Sequence, residues 1–108
     1  MELGLFNITS ATTTTLIEKL ATSHNVHVRD YDRGNIRSIN IANCNDSNLV
    51  YVSLYLDDGT NQTYFFKTNI LWPGQTMFLD KGVGFNSRAL SLKLTTTGTS
   101  PDVNVIIR

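Results

Sequence analysis

The sequence predicts an all-β domain, an antiparallel two-sheet β-sandwich of jelly-roll or immunoglobulin-like kind. Four stretches alternate apolar and polar residues, and the clearest of them runs from Leu49 to Asp57. A strand sends successive side chains to opposite faces, so this alternation places one face of each stretch against a core. Turn-forming residues separate the stretches at intervals of roughly 8–14 residues, and a single open sheet would leave one apolar face uncovered.

The sequence predicts seven or eight short strands, of which the first is weakened by Gly4. Residues 2–8 form the first, and the threonine-rich run Thr9–Thr15 leads into the second. A helix from Thr15 to Ala21 is the alternative for the second, but threonines lose side-chain freedom in a helix and therefore favour a strand. The other six candidates span residues 36–42, 49–57, 62–67, 76–80, 89–95 and 103–108.

The alternation also predicts which side chains are buried and where the chain turns. Asp57–Asn61 has the composition of a tight hairpin. Pro73-Gly74 predicts a type II turn, in which the glycine adopts positive φ. The predicted core positions are Ile39, Ile41, Val50, Val52, Leu54, Leu56, Leu90, Leu92, Leu94, Val103, Val105 and Ile107.

Length and charge limit the classes of function. The chain has 108 residues, nine basic and nine acidic side chains and no net charge. Nucleic-acid binders need an excess of Lys and Arg, so nucleic acid is not an expected partner. No apolar run approaches the ~18 residues of a membrane span, and we expect neither a membrane partner nor a secretion signal. Cys44 is the only cysteine, so an internal disulfide is excluded, and we predict a buried or half-buried structural residue.

The length suits one domain, which we expect to span residues 16–108. Residues 1–15 are a candidate extended arm, because a β-branched strand can add to the edge of a neighbouring sheet. Thr12 and Thr14 would lie on one face of that arm and are candidate partner contacts.

The sequence predicts no catalytic site, no metal site and no cofactor. The potential metal ligands His24, His27, Asp30 and Asp32 lie close together in the chain. Residues three apart in an extended segment face opposite ways, so a solvated polar loop is the better interpretation. Neither histidine is paired with an evident nucleophile, and phosphate-binding and hydrolase motifs are missing from the sequence.

Two further places could contact a partner. The first is a loop with charges of both signs, which contains Arg29, Asp30, Tyr31 and Arg33. The second is Trp72, which could stack on a sugar or anchor a protein partner if it is exposed. The alternative for Trp72, which we favour from the sequence, is a lid over the open end of the sandwich core.

The segment from Ile36 to Arg108 resembles small virion structural proteins of tailed bacteriophages, notably those of marine cyanobacterial phages. The resemblance is carried by Ile-Arg-Ser-Ile-Asn-Ile-Ala-Asn at 36–43, Val-Ser-Leu-Tyr-Leu-Asp-Asp-Gly at 52–59, and the Pro-Gly turn at 73–74. It continues through Leu79-Asp80, Phe85, Ser-Leu-Lys-Leu at 91–94 and the apolar last strand. Trp72 departs from the small apolar residue expected before the turn, and this difference could mark a contact particular to this chain.

The resemblance implies a non-enzymatic subunit of a phage particle, made in the host cytoplasm and located in the virion. We expect a capsid decoration (cement) protein on the head exterior, which binds joints between major capsid protein subunits and stabilises the head. A neck, tail or fibre component is the first alternative, and a carbohydrate-binding module that uses Trp72 is the second. The analogy also favours a homo-oligomer, for example a trimer, which would cover exposed sheet edges.

Overall fold

The computed structural model describes residues 4–19, 36–80, 83–87 and 89–108, and within these ranges it contains eight strands and no helix. The strands are β1 (Gly4–Ile8), β2 (Thr12–Ile17), β3 (Ile39–Asn43), β4 (Val50–Asp57), β5 (Gln62–Leu71), β6 (Thr76–Leu79), β7 (Ser91–Gly98) and β8 (Val103–Ile107). All six later candidate segments contain a strand, and β5 extends four residues beyond its predicted end.

The strands form two antiparallel four-stranded sheets that pack together as a sandwich. One sheet has the order β1-β8-β3-β6 and is called the 1-8-3-6 sheet; the other, the 2-7-4-5 sheet, has the order β2-β7-β4-β5. The pairs β1·β8, β2·β7, β3·β6 and β4·β5 are nested, as in one long hairpin rolled onto itself. This is the jelly-roll arrangement and not the immunoglobulin strand order, so the predicted sandwich is confirmed and its topology is defined.

The core lies between the sheets and contains most of the predicted apolar stripes, together with Ile8, Leu16, Ile17, Ile36, Leu71 and Val83. Leu56 and Leu90 are half-buried at its margin. Each buried aliphatic side chain contributes about 1.5–3 kcal/mol relative to exposure, so these stripes drive the two layers together. The predicted core positions that are buried are Ile39, Ile41, Val50, Val52, Leu54, Leu92, Leu94, Val103, Val105 and Ile107.

The second segment is a strand and not a helix as far as Ile17, as predicted. Its alternation breaks at a β-bulge between Thr15 and Ile17, where the register with β7 shifts. The bulge turns two consecutive side chains inward, so Leu16 and Ile17 are both buried. Residues 20 and 21, which the helix alternative included, lie outside the described residues.

The part of the predicted 1–15 arm that the structure describes belongs to the sandwich. β1 pairs with β8 in one sheet, and β2 pairs with β7 in the other. The extended, β-branched character that suggested an arm therefore has its pairing partners within the same chain. This differs from a segment that is free to add to a neighbouring molecule.

The end of β3 is held by the side chain of Asn43, which is only 1% exposed. Its Nδ2 group donates hydrogen bonds to the carbonyl oxygens of Asn48 and Leu71, both at 3.0 Å. Its Oδ1 atom accepts one from the backbone N–H of Asn45, also at 3.0 Å. Asn43 belongs to the 1-8-3-6 sheet and Leu71 to the 2-7-4-5 sheet, so one amide links both layers.

Cys44 is exposed, and the prediction that it is buried or half-buried was wrong. The strand extends to Asn43, one residue beyond its predicted end at Ala42. Because Asn43 points inward, its neighbour Cys44 points outward. The backbone N–H of Cys44 donates to the carbonyl of Asp102 at 2.7 Å, which fixes this part of the chain.

The hairpin between β4 and β5 is built by two carboxylates. Asp57 Oδ1 accepts a hydrogen bond from the N–H of Gly59 at 2.9 Å. Asp58 Oδ1 accepts from the N–H groups of Thr60 and Asn61 at 2.8 and 2.7 Å. Gly59 has a φ of 103°, which residues with a side chain adopt only with strain. The predicted reversal is confirmed.

An ion pair joins this hairpin to β7. Lys93 Nζ lies 2.9 Å from Asp57 Oδ2. The hydrogen bond from Lys93 lowers the pKa of Asp57 below its ordinary value, and the same bond raises the pKa of Lys93. Backbone N–H groups of the turn, that of Asn61 foremost, lower the pKa of Asp58. Both carboxyl groups therefore favour the ionised form more strongly in the folded chain than in the unfolded one.

We expect Asn43→Ala to lower the free energy of unfolding by about 2–4 kcal/mol, because it leaves buried backbone groups without partners. The control is Asn40→Ala, a change on the half-buried outer side of the same strand, for which we expect less than about 1 kcal/mol. Denaturant titration of the three proteins measures both differences. Equal destabilisation by the two variants would contradict the role assigned to Asn43.

The two turn carboxylates also predict a dependence of stability on pH. Their contribution is present above the unfolded pKa of about 3.9 and is lost as the pH falls through it toward the lower folded pKa. Denaturant titrations should therefore give a decreasing free energy of unfolding between about pH 5 and about pH 3, and a shallower decrease for Asp57→Asn. Thr60→Ala, at an exposed residue of the same turn without an ionisable side chain, is the control and should keep the parent slope. An unchanged slope in Asp57→Asn would refute this assignment.

Candidate functional site

The turns β1–β2, β3–β4, β5–β6 and β7–β8 lie at one end of the sandwich, as the nested pairing requires. Side chains join these turns to each other and to the strands. Asn45 Nδ2 donates to the carbonyl of Ser100 at 2.9 Å, and Thr96 Oγ1 donates to the carbonyl of Ser10 at 2.9 Å. We call this the four-turn end, and its hydrogen bonds make it a firm base for an exposed side chain.

The β5–β6 turn holds Trp72 at this end. The N–H of Gln75 donates to the carbonyl of Trp72 at 2.9 Å, and the Gln75 side-chain oxygen accepts from the N–H of Trp72 at 2.9 Å. Gly74 has a φ of 78°, as the predicted type II turn requires. The N–H of Gly74 also donates to the carbonyl of Asn43 at 3.0 Å, so the turn is tied to the neighbouring sheet.

Trp72 is 57% exposed, and the prediction that it forms a lid over the core was wrong. The preceding residue, Leu71, points inward and closes this part of the core with 1% exposure. Alternation along the chain therefore directs Trp72 outward. The alternative in which Trp72 is available to a partner agrees with this geometry.

Two other exposed apolar side chains adjoin Trp72. Ile70 lies two residues before it on β5, and Tyr51 of β4 is the cross-strand partner of Ile70. All three are exposed on the outer side of the 2-7-4-5 sheet near the four-turn end. We call Tyr51, Ile70 and Trp72 the Trp72 patch. It is uncharged and is bordered by Thr97, which pairs with Tyr51 from β7.

The other tyrosines that the sequence placed near Trp72 lie farther along the same sheet. Tyr55 and Tyr64 are cross-strand partners, and their ring centroids are 5.0 Å apart. Tyr64 covers Tyr55, which is buried although it is on the outer face. This pair belongs to the β4–β5 hairpin and not to the Trp72 patch.

The predicted contact residues of β2 lie on its interior side. Thr12 pairs with Thr96 and Thr14 with Leu94, and both of those partners are fully buried. Thr12 is nevertheless exposed at the start of the strand, and Thr14 is half-buried. Thr13 faces outward instead, and its hydroxyl lies 2.9 Å from a threonine hydroxyl of β7.

The remaining predicted site residues lie outside the described residues. These are Arg29, Asp30, Tyr31 and Arg33 of the charged loop, together with His24, His27 and Asp32. Within the described ranges, no three His, Cys, Asp or Glu side chains are grouped so that they could hold a metal ion. The arrangement that the structure does bring together, the Trp72 patch, is suited to binding through apolar and aromatic contacts.

Sequence reasoning missed three exposed apolar residues. Ile70 is one, and the other two are Leu5 on β1 and Phe78 on β6, which are 66% and 56% exposed. All three point outward from strands at the edges of sheets. Their positions in the alternation were available as a signal, but which strands form the edges depends on the topology.

Comparisons of the chain with protein-family models, with curated proteins and with solved structures give no match. In the part of the chain that is described, no helix has the length and hydrophobicity needed to cross a bilayer. Within the described residues, the chain is a jelly roll of eight strands that presents a tryptophan-centred apolar patch.

The single tryptophan of the chain provides a direct measurement of the patch. We expect the native protein to show the red-shifted emission of an indole in water, with efficient quenching by acrylamide, because Trp72 is exposed. The protein in denaturant is the reference and should emit at nearly the same wavelength. A blue-shifted native emission with weak quenching would instead support the lid interpretation.

Proposed function

We propose that this chain is a non-enzymatic structural subunit of a tailed-phage particle, and specifically a decoration protein that binds joints between coat subunits and stabilises the head. The resemblance of residues 36–108 to small phage virion proteins supports this proposal. The jelly-roll topology supports it as well, because jelly rolls are frequent in viral capsid domains. Fold alone does not define function, so the argument depends on a surface.

The observation that carries the proposal is the Trp72 patch. Protein interfaces concentrate their binding energy in a few residues, and Trp and Tyr are enriched among them. The patch has no formal charge, so covering it requires no desolvation of an ion. The turn at Gln75 already holds the backbone of Trp72, which lowers the entropic cost of binding.

The size of the patch indicates how such a subunit would hold a particle together. Its three side chains expose roughly 300 Å², whereas a standard interface buries about 800 Å² on each partner. One patch alone would therefore bind weakly. Many copies on a repeating lattice would bind firmly, because each linked contact raises the effective concentration of the next one.

We expect Trp72→Ala to reduce the affinity for capsids that lack the subunit by about 30-fold, which corresponds to about 2 kcal/mol for a central aromatic contact. Co-sedimentation of purified protein with such capsids measures the affinity. Tyr64→Ala removes an exposed aromatic side chain from the far end of the same sheet and is the matched control. If Trp72→Ala bound the capsids as well as the parent protein does, the Trp72 patch would not be the binding surface.

Cryo-electron microscopy of the intact particle tests the location of the subunit. Copies over coat-subunit joints on the head are the expected result. Density only in the neck, the tail or a fibre would replace the decoration role by that alternative, and absence from the particle would refute the whole proposal.

The exposure of Trp72 also favours one other candidate function, a carbohydrate-binding module. A sugar ring could stack on the indole while the Thr97 hydroxyl and nearby amides accept or donate hydrogen bonds. Binding on a glycan array that disappears in Trp72→Ala would support this candidate. A silent array together with capsid binding would favour the structural role.

A further inference from the structure

The outer face of the 1-8-3-6 sheet carries one continuous row of side chains. Leu5 pairs with Ile106, Ile106 pairs with Asn40, and Asn40 pairs with Phe78. Cross-strand partners lie at the same level along the strands and on the same face. The row therefore crosses the whole sheet, with an exposed apolar side chain at each edge strand.

The two ends of this row differ in shape. At the β1 edge there is a shallow groove of about 350 Å³, lined by Leu5, Phe6, Asn7, Asn104, Val105 and Ile106. At the β6 edge, Phe78 is 56% exposed and projects from the sheet. A groove and a projecting aromatic ring thus occupy opposite edges of one face at one level.

A two-fold rotation relates these features to each other. Two copies can stack face to face about a two-fold axis parallel to their strands. The β1 edge of each sheet then lies over the β6 edge of the other, and every residue keeps its position along the strand direction. Phe78 of each copy then lies over the groove of the other, and the same contact forms twice. We propose that the occupant of this face is a second copy of this chain, in a symmetric dimer formed through the two 1-8-3-6 sheets.

The distribution of charge supports a copy of the same chain as the partner. β1, β8, β3 and β6 contain no charged residue, whereas Asp57, Lys67 and Lys93 lie in strands of the other sheet. A symmetric interface brings like residues near each other at the axis, and strands without charged side chains avoid repulsion there. Natural proteins protect exposed edges with charges, and the edge strands β1 and β6 lack them.

The area of the face defines the expected strength. Four strands at a spacing of about 4.8 Å and about five residues of about 3.3 Å give a face of roughly 300 Å² in plane. This is below the standard interface, so the dimer belongs to the weak, reversible class. A partner other than a second copy would contact either the groove or Phe78. A second copy contacts both, because the Phe78 of each copy lies over the groove of the other.

Sedimentation velocity of the purified full chain, from about 10 µM to about 1 mM, tests the dimer. The weight-average mass should rise from 12.0 kDa toward twice that value. Phe78→Asp and Leu5→Lys should each weaken dimerisation at least ~30-fold, because each places a charge in the apolar contact. Both residues are exposed, so the variants should remain folded, and circular dichroism checks this.

A charge exchange makes the test specific. The double variant Leu5→Lys with Phe78→Asp places opposite charges in contact across the interface and should dimerise again. An equimolar mixture of the two single variants should form heterodimers, although neither dimerises alone. Ile70→Asp, an equivalent change on the outer face of the other sheet, is the control and should dimerise like the parent chain.

Three results would overturn the inference. These are a monomer at every concentration, a dimer that persists in both single variants, and loss of the dimer in Ile70→Asp. The experiment contains no capsid, so its failure is distinguishable from failure of the proposed particle role. Either proposal can stand without the other.

Discussion

The buried amide of Asn43 is the constraint on which this arrangement depends. A jelly roll of this size has two separate layers, and apolar packing alone would let them slide because it has no direction. The Asn43 side chain bonds the last carbonyl of β5 in the other sheet at 3.0 Å, and its backbone carbonyl receives the N–H of Gly74. A satisfied buried polar group therefore fixes the relative position of the layers and of the turn that carries Trp72.

The rolled-hairpin topology separates the chemistry of the two sheets. β4 and β5 are consecutive and are joined by a hairpin. Two carboxylates cap the turn of this hairpin, and an ion pair joins it to β7. Thr68 has a φ of 53° beside a bulge in β5, and its N–H donates to Ser53 Oγ at 2.8 Å. Bulges and Lys67 protect the β5 edge of the 2-7-4-5 sheet, as natural proteins do. The strands of the 1-8-3-6 sheet contain neither a bulge nor a charged residue.

The sequence predicts the parts of this fold that local rules control. Alternation identified the core stripes of β4, β7 and β8, and turn chemistry identified the reversals at Gly59 and Gly74. The periodicity of a sequence does not show where a bulge inserts an extra residue, so the inward position of both Leu16 and Ile17 was not predictable. Trp72 and Cys44 were assigned to the wrong environment for a related reason. Each follows the last inward residue of a strand, and the position of that residue depends on pairing with distant strands.

The site shows the same division between local and distant causes. The indole of Trp72 was identifiable as a candidate contact, and Ile70 lies two residues before it, but Tyr51 is placed beside them only by the β4·β5 register. Likewise, Leu5 and Phe78 are far apart in the chain and share a row only because β8 and β3 lie between them in the sheet. Edge positions and cross-strand rows depend on the topology, which the periodicity of a single sequence does not determine.

The two exposed apolar surfaces are compatible in space, and their combination has a consequence for binding. A two-fold axis parallel to the strands keeps the direction of the strands, so both four-turn ends of a dimer would point the same way. The two Trp72 patches would then lie on the outermost layers of a stack of four sheets, separated by about three sheet spacings or roughly 30 Å. Each patch is too small to bind a partner firmly alone, but a rigid pair at fixed spacing gains from the second contact without further ordering cost. A weak dimer and a small patch could thus produce firm attachment to a repeating surface whose own spacing matches that distance.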